Sequence, residues 1–164
     1  MSINIIQWNI NGLVKKTNDI KIVNQIHNPT IICLQETNLK DNYTPHIKNF
    51  NTYISNRTQC NRASGGVAIL IRSEFPSSQI PIQTSIEVVA ATIQLETKIT
   101  ICNVYIPNQK TFEASDIEHI IQQLPTPFLI LGDFNSHSAH WGSDKTDGRG
   151  KQIEKILEKI GRAS

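Results

Sequence analysis

The chain has 164 residues, with 16 Lys and Arg against 14 Asp and Glu and 38% hydrophobic residues. That is the size of a single domain, too apolar for a disordered acidic tail, and its net charge of +2 permits contact with phosphate without the bias of a dedicated polyanion binder. No apolar run approaches the ~18 residues that cross a bilayer, and Met1 to Asn4 has neither the basic nor the apolar region of a secretory signal, so no membrane partner is expected.

Cys33, Cys60 and Cys102 are odd in number and widely spaced. Cys33 and Cys102 sit in apolar runs, where a free thiol is a small core residue. No Cys/His spacing suggests a zinc site, and a reducing intracellular compartment fits.

In chain order, Ile3, Ile5 and Ile6 lead into a strand through Gln7-Trp8-Asn9 that stops at the turn dipeptide Asn11-Gly12. Thr17 is placed to cap a helix with apolar positions Ile20, Val23 and Ile26, ended by Asn28-Pro29. Thr30 to Gln35 reads as a buried strand with Glu36 at its end. Gly65-Gly66 precedes a further strand, Val67 to Ile71. Glu87 to Leu95 and Lys98 to Tyr105 form a hairpin turning at Glu96-Thr97, closed by Pro107. Ser115 and Glu118 have capping-box spacing, ahead of a helix with Ile117, Ile120, Ile121 and Leu124 on one face. Phe128 to Leu131 is a short strand that Gly132 is expected to break. Ile153, Ile156, Leu157 and Ile160 mark a last helical face, whose partner is not evident within the chain. Alternating strands and helices around one hairpin argue for an α/β fold with a mixed sheet covered by helices.

Asn9, Glu36, Tyr105 and Asp133 each lie at or just past the end of an apolar strand, with Asn135 two residues beyond Asp133. In α/β folds, sites gather at the carboxyl ends of strands. A packing account requires no acid or amide there, although a lone Asn can serve a turn and a lone Glu can simply be solvated. If the segments are extended, Asp133 and Asn135 share one side, as do Asn9 and Asn11. The donors are oxygen-rich and free of thiol, which suits Mg2+ or Mn2+ rather than zinc.

Four segments carry a family resemblance: Gln7 to Leu13, Leu34 to Thr37, Asn103 to Asn108 and Leu131 to Asn135, with Gly65-Gly66-Val67-Ala68 between the second and third. In this order they resemble the signature of the endonuclease/exonuclease/phosphatase superfamily. The chain is most similar to the apurinic-endonuclease-like domain of jockey-like and I-element-like non-LTR retrotransposons. The run Gly132 to Gly142, containing His137, His140 and Trp141, points to that group. So does Asn11, where the repair enzymes carry an acid.

The resemblance implies a DNase I-like four-layer α/β/β/α sandwich and a Mg2+-dependent (or Mn2+-dependent) endonuclease. It would nick target DNA so that the new 3′ hydroxyl primes reverse transcription. DNA is the implied partner, a reverse transcriptase is expected C-terminal in the parent polyprotein, and the site of action is nuclear. By the same matching, Glu36 would bind the metal and Asp133 would orient or deprotonate the attacking water. Asn135 would position that acid and the phosphate, Asn9 would lie near metal and phosphate, and Tyr105 would hydrogen-bond the scissile phosphate.

The family also carries a late Ser-Asp-His-type motif, and no Asp-His dipeptide occurs in this sequence. Residues 1–164 are therefore expected to be a single endonuclease-like domain lacking its C-terminal portion, and impaired as it stands. An inactive relic that binds DNA or a partner, and a phosphodiesterase for lipid or inositol phosphates, stay open as alternatives.

Among the other histidines, His27 and His119 read as solvated or structural and His46 is uninformative. His137 and His140 read as shaping the loop after Asn135. Arg149, Lys151, Lys155 and Lys159 read as a solvated helix face partly paired with Glu154 and Glu158. Lys15, Lys16, Arg57 and Arg62 are the better candidates for phosphate contacts.

Overall fold

Ile31–Gln35 is an apolar run flanked on both faces by other apolar elements, and all five of its residues are buried. A strand that alternates nothing is one covered on both sides. The computed structural model describes residues 3–40, 43–57 and 63–162, with the side chains of the last two of these left aside. Cys60 and Arg62 lie outside the described residues.

The first sheet contains β1 (Ile5–Asn9), β2 (Ile31–Gln35), β3 (Phe50–Ser55) and β4 (Val67–Arg72) in the order β1-β2-β4-β3. β1 runs parallel to β2, and the other pairs are antiparallel. The second contains β5 (Ser77–Ile80), β6 (Glu87–Gln94), β7 (Lys98–Tyr105) and β8 (Phe128–Asp133) in sequence order, with β7 and β8 parallel.

Strand alternation sorts the core into three layers of side chains. Ile31, Cys33, Val67, Ile69 and Ile71 of the first sheet meet Val89, Ala91, Ile93 and Ile101 of the second. On the outer face of the first sheet, Ile32, Leu34, Ala68 and Leu70 pack with Ile20 of α1 (Thr17–His27). On the outer face of the second, Val88, Ala90, Cys102 and Val104 pack with Ile117 and Ile120 of α2 (Ala114–Ile121) and Ile156 of α3 (Gly148–Arg162). Each fully buried Ile or Leu contributes roughly 1.5–3 kcal/mol. The result is an α/β/β/α sandwich, the architecture the resemblance implies. Cys33 and Cys102 are buried and free, and burial pushes the Cys102 thiol up to about 12.

Local signals differ from the sequence reading at several points. Thr17 is the first helical residue rather than the cap, and its hydroxyl donates back to Leu13 and Val14 carbonyls. The capping box of α2 belongs to Glu113 and Asp116, not Ser115 and Glu118. The helix thus starts two residues earlier than Ser115 as cap would place it. Gly132 does not break its strand; β8 runs through it to Asp133. Gly132 has φ +147, and a Cβ there would lie 1.9 Å from the Val104 carbonyl oxygen across the β7–β8 pair. The glycine is required by close strand approach, not by a turn. On α3, Ile156 is buried while Leu157 and Ile160 remain exposed.

Candidate active site

Polar side chains enter the interface between the sheets along one line. Gln35 and Asn103 are wholly buried. Gln35 Nε2 donates to Asn103 Oδ1 at 2.6 Å, and Asn103 Nδ2 donates to the Leu34 and Ala68 carbonyls, each at 2.9 Å. Gln7 Nε2 donates to Gln35 Oε1 at 3.0 Å. Buried amides are tolerated only when their donors and acceptors are met, and this ladder meets them while stitching β2 and β4 to β7.

Two residues farther along β1 and β7 the same line reaches the sandwich edge. Asn9 is paired in register with Gln35, and Tyr105 with Asp133. Asn9 Nδ2 donates to Glu36 Oε1 at 3.1 Å and to Asp133 Oδ2 at 2.9 Å. The Tyr105 hydroxyl donates to Glu36 Oε1 at 2.6 Å. The Asn135 backbone N–H donates to Asp133 Oδ1 at 3.1 Å, and its side-chain amide to the Ile106 carbonyl at 3.1 Å. The five residues singled out in the sequence therefore form one connected cluster, half-buried except for the buried Tyr105.

Asn135 reaches the cluster differently from the sequence reading. It has φ +47, so the segment is turned rather than extended, and the amide comes back toward the acid through its backbone. Asn11, at φ +45, also leaves the extended path. Its side chain accepts from Asn38 Nδ2 at 3.3 Å, away from the partners of Asn9.

Glu36 has φ +52, a left-handed conformation that costs a non-glycine residue about 1–3 kcal/mol. The strain is held by bonds on both sides: Gly12 N–H donates to the Glu36 carbonyl at 2.8 Å and Thr37 N–H to the Gly66 carbonyl at 3.2 Å. Burial, followed by the hydrogen bond to Glu36, pushes the Tyr105 hydroxyl above its ordinary value. It therefore stays a proton donor.

Among the described residues no group of three or more His, Cys, Asp or Glu is arranged to hold a metal. The carboxylates within the cluster are Glu36 and Asp133, bridged by one amide, while Glu87 beside Tyr105 is taken up by Arg57 and the Gly66 N–H. Such a set of hard oxygen donors fits Mg2+, which takes one or two carboxylates and completes its shell with water and substrate phosphate.

Around the cluster, Arg57 is not simply a loop cation. Its Nε donates to Glu87 Oε1 at 2.7 Å, while the other Glu87 oxygen accepts from the Gly66 N–H. Lys16 lies over the Trp8 ring, 5.6 Å from its centroid.

Beyond Asp133 the chain forms a cleft of about 420 Å3 lined by Gly132 to His137, Trp141 and Ile153. His137 Nδ1 is bonded to Asp147 Oδ2 at 2.9 Å, and Asp147 N–H donates to the His137 carbonyl at 3.0 Å. Gly150 N–H bonds to the second Asp147 oxygen at 2.6 Å. That bond, then His137, holds the Asp147 carboxyl down at about 2. Gly150 has to be glycine, since a Cβ there would lie 2.0 Å from the His137 carbonyl oxygen. The fold thus pairs His137 with Asp147, a residue not singled out in the sequence.

Arg149 also departs from expectation. Rather than lying on a solvated face, its guanidinium donates to the Lys110 and Phe134 carbonyls at 2.6 Å and to that of Ile106 at 2.9 Å. It also lies over the Phe112 ring at 5.0 Å. Glu154 turns from its helix neighbours to accept from Ser138, His140 and Thr146, and Lys159 bonds Glu118 of α2 at 2.6 Å. His27 and His119 are exposed, as expected. Gln35, Asn103 and Arg149 are the residues sequence reasoning missed. A polar residue inside an otherwise apolar strand was the available signal for the first two.

The sequence profile of the Endonuclease/Exonuclease/phosphatase family matches residues 6–161. A probable RNA-directed DNA polymerase from transposon X-element of Drosophila melanogaster is 28% identical over 163 residues, covering 96% of this chain and 18% of that protein. The RNA-directed DNA polymerase from mobile element jockey of Drosophila funebris is 25% identical over 154 residues, covering 92% and 17%. The chain thus spans less than a fifth of the length of these relatives. Among solved structures, the endonuclease domain of TRAS1, a telomere-specific non-LTR retrotransposon, superposes with a TM-score of 0.76 at 21% identity over 98% of this chain and 71% of that one. An AP endonuclease from Archaeoglobus fulgidus superposes with a TM-score of 0.70 at 18% identity, over 96% and 70%. These likenesses are to the DNase I-like fold.

Proposed function

Since the chain belongs to the endonuclease/exonuclease/phosphatase family, we propose that its site hydrolyses a phosphodiester of DNA with the help of a divalent cation. The observation that supports this most is the Asn9 amide, which donates both to Glu36, just past β2, and to Asp133 of the other sheet, 124 positions from Asn9 in the sequence. A nuclease needs a carboxylate for the ion, a second for the water, and neutral donors for the phosphate.

Glu36 is the residue that would hold Mg2+ or Mn2+, and the bound ion would supply charge neutralisation at the phosphate and the leaving 3′ oxygen. Asp133 acts on the water. Its two oxygens are fixed by Asn9 and by the Asn135 N–H, yet a carboxylate has lone pairs to spare for a water proton. Asn9 and Tyr105 supply donors without adding negative charge, which an anionic transition state favours. Asn135 fixes the direction of the acid.

By extension from the polymerases it resembles, the domain would nick target DNA in the nucleus. A reverse transcriptase C-terminal in the parent polyprotein would extend the 3′ end. Since no Asp-His dipeptide occurs anywhere in the sequence, slow nicking is expected from residues 1–164 alone. The same feature favours a second reading, a DNA-binding relic that cuts nothing.

Supercoiled-plasmid nicking, with Mg2+ and with EDTA, beside Asp133→Ala, tests the proposal. Metal-dependent nicking lost in the variant supports it. DNA binding without nicking, in a folded chain, favours the relic.

A further inference from the structure

Trp141 is a large aromatic residue that the core does not use: it is 40% exposed and lines the cleft beside Asp133 and Asn135. An exposed Trp in a cleft is informative where a scattered exposed Leu is not. The wall that carries it is heavily bonded. Its indole Nε1 donates to the Ser136 carbonyl at 3.2 Å, which fixes the ring's polar edge. Its backbone N–H donates to Ser138, whose hydroxyl caps this turn and bonds Glu154. Glu154 also gathers His140 at 3.1 Å and Thr146 at 3.3 Å. On the other side, the His137–Asp147 pair ties the start of the loop to the first turn of α3. Two separate clamps therefore hold an aromatic surface open to solvent next to the acid.

We infer that this wall, Trp141 with His137 beside it, is a stacking subsite for one unpaired nucleobase of the strand whose phosphate lies at Asp133. The inference rests on the nuclease reading and gives it a substrate preference. Indole stacks on any base, because every base has a π face. Such a surface selects for a nucleotide that is frayed, mismatched or swung out of its duplex, and not for a particular sequence.

The test is a binding measurement in EDTA, independent of cleavage. Trp8→Phe leaves Trp141 as the sole tryptophan, because the chain has two. Its fluorescence is followed with a single-stranded thymidine oligonucleotide and with an abasic strand of equal length. Anisotropy of the labelled strands reports affinity separately.

Quenching by the thymidine strand and not by the abasic one is expected. Trp141→Ala should weaken thymidine binding roughly five- to 150-fold and leave abasic binding unchanged, and Trp141→Phe should restore most of the loss. Equal affinity for both strands, or tight binding with no quenching, overturns the stacking subsite while the nuclease reading stands. If neither strand binds, the subsite falls, and the nuclease reading is decided separately by plasmid nicking in Mg2+.

Discussion

The two ends of the polar line between the sheets use nearly the same residue types for opposite purposes. Inside, Gln35 and Asn103 are sealed from water and bond to each other and to strand carbonyls, with the exposed Gln7 donating to Gln35 from the edge of β1. At the edge, Asn9, Glu36, Tyr105 and Asp133 also bond to one another, but all except the buried Tyr105 are half-open, and two of them are acids. Gln7 and Asn9 are two residues apart on β1, as are Asn103 and Tyr105 on β7, so each pair shares a face. The sealed Gln35–Asn103 pair and the two accessible acids separate a structural network, whose value is satisfied burial, from a site whose value is the oxygen atoms it keeps available.

The largest effect should appear at the open end. Asp133→Ala is expected to lower nicking roughly 10²- to 10⁴-fold, while urea unfolding moves by less than about 1 kcal/mol. A large stability loss would erase the distinction between the two ends. Asn103→Ala should do the reverse. It strips the donor to the Leu34 and Ala68 carbonyls and the acceptor for Gln35, so urea unfolding should lose about 2–4 kcal/mol. Nicking per folded molecule should stay near wild type.

Arg149→Lys tests a third polar feature. The lysine keeps the charge but cannot fork to several carbonyls, and a stability loss of about 1–3 kcal/mol is expected from the same unfolding measurement.

The smallest effect is in acid. The Asp147 carboxyl lies at about 2, below its ordinary value of 3.8. A depressed carboxyl contributes stability that is fully present above the unfolded value and is lost as pH falls through the folded one. Thermal melts should therefore drop between about pH 4 and pH 2, and Asp147→Asn should be weaker at neutral pH with a flatter acid limb. An unchanged acid limb would remove Asp147 as a clamp of the cleft loop.

Much of the sandwich was legible because buried strands announce themselves: Ile31 to Gln35, Val67 to Ile71 and the hairpin through Glu96-Thr97 need no tertiary knowledge. The sequence reading named neither β3 nor β5. Asn51 and Thr52 dilute the apolar signal of β3, and Ser77-Ser78-Gln79 leaves β5, an edge strand, with almost none. Gly132 misled because glycine signals a turn locally, whereas here it answers a close approach by Val104. The five clustered residues were legible as strand-end polar residues. Their bonding was not, since Asn9 and Asp133 meet only after two sheets have packed. The clamping contacts of Asp147 and Glu154 were invisible for a similar reason: the residues they hold are ten positions away for Asp147 and eight to sixteen for Glu154, along an irregular loop.

The central claim is that the open end of the polar line holds a divalent ion through Glu36. Electron paramagnetic resonance of free Mn2+ during titration into the protein measures that directly, with Glu36→Gln and Gln35→Leu as the paired variants. Saturable binding in the wild type, lost in Glu36→Gln and kept in folded Gln35→Leu, is the expected result. Equal Mn2+ binding by wild type and Glu36→Gln would contradict it.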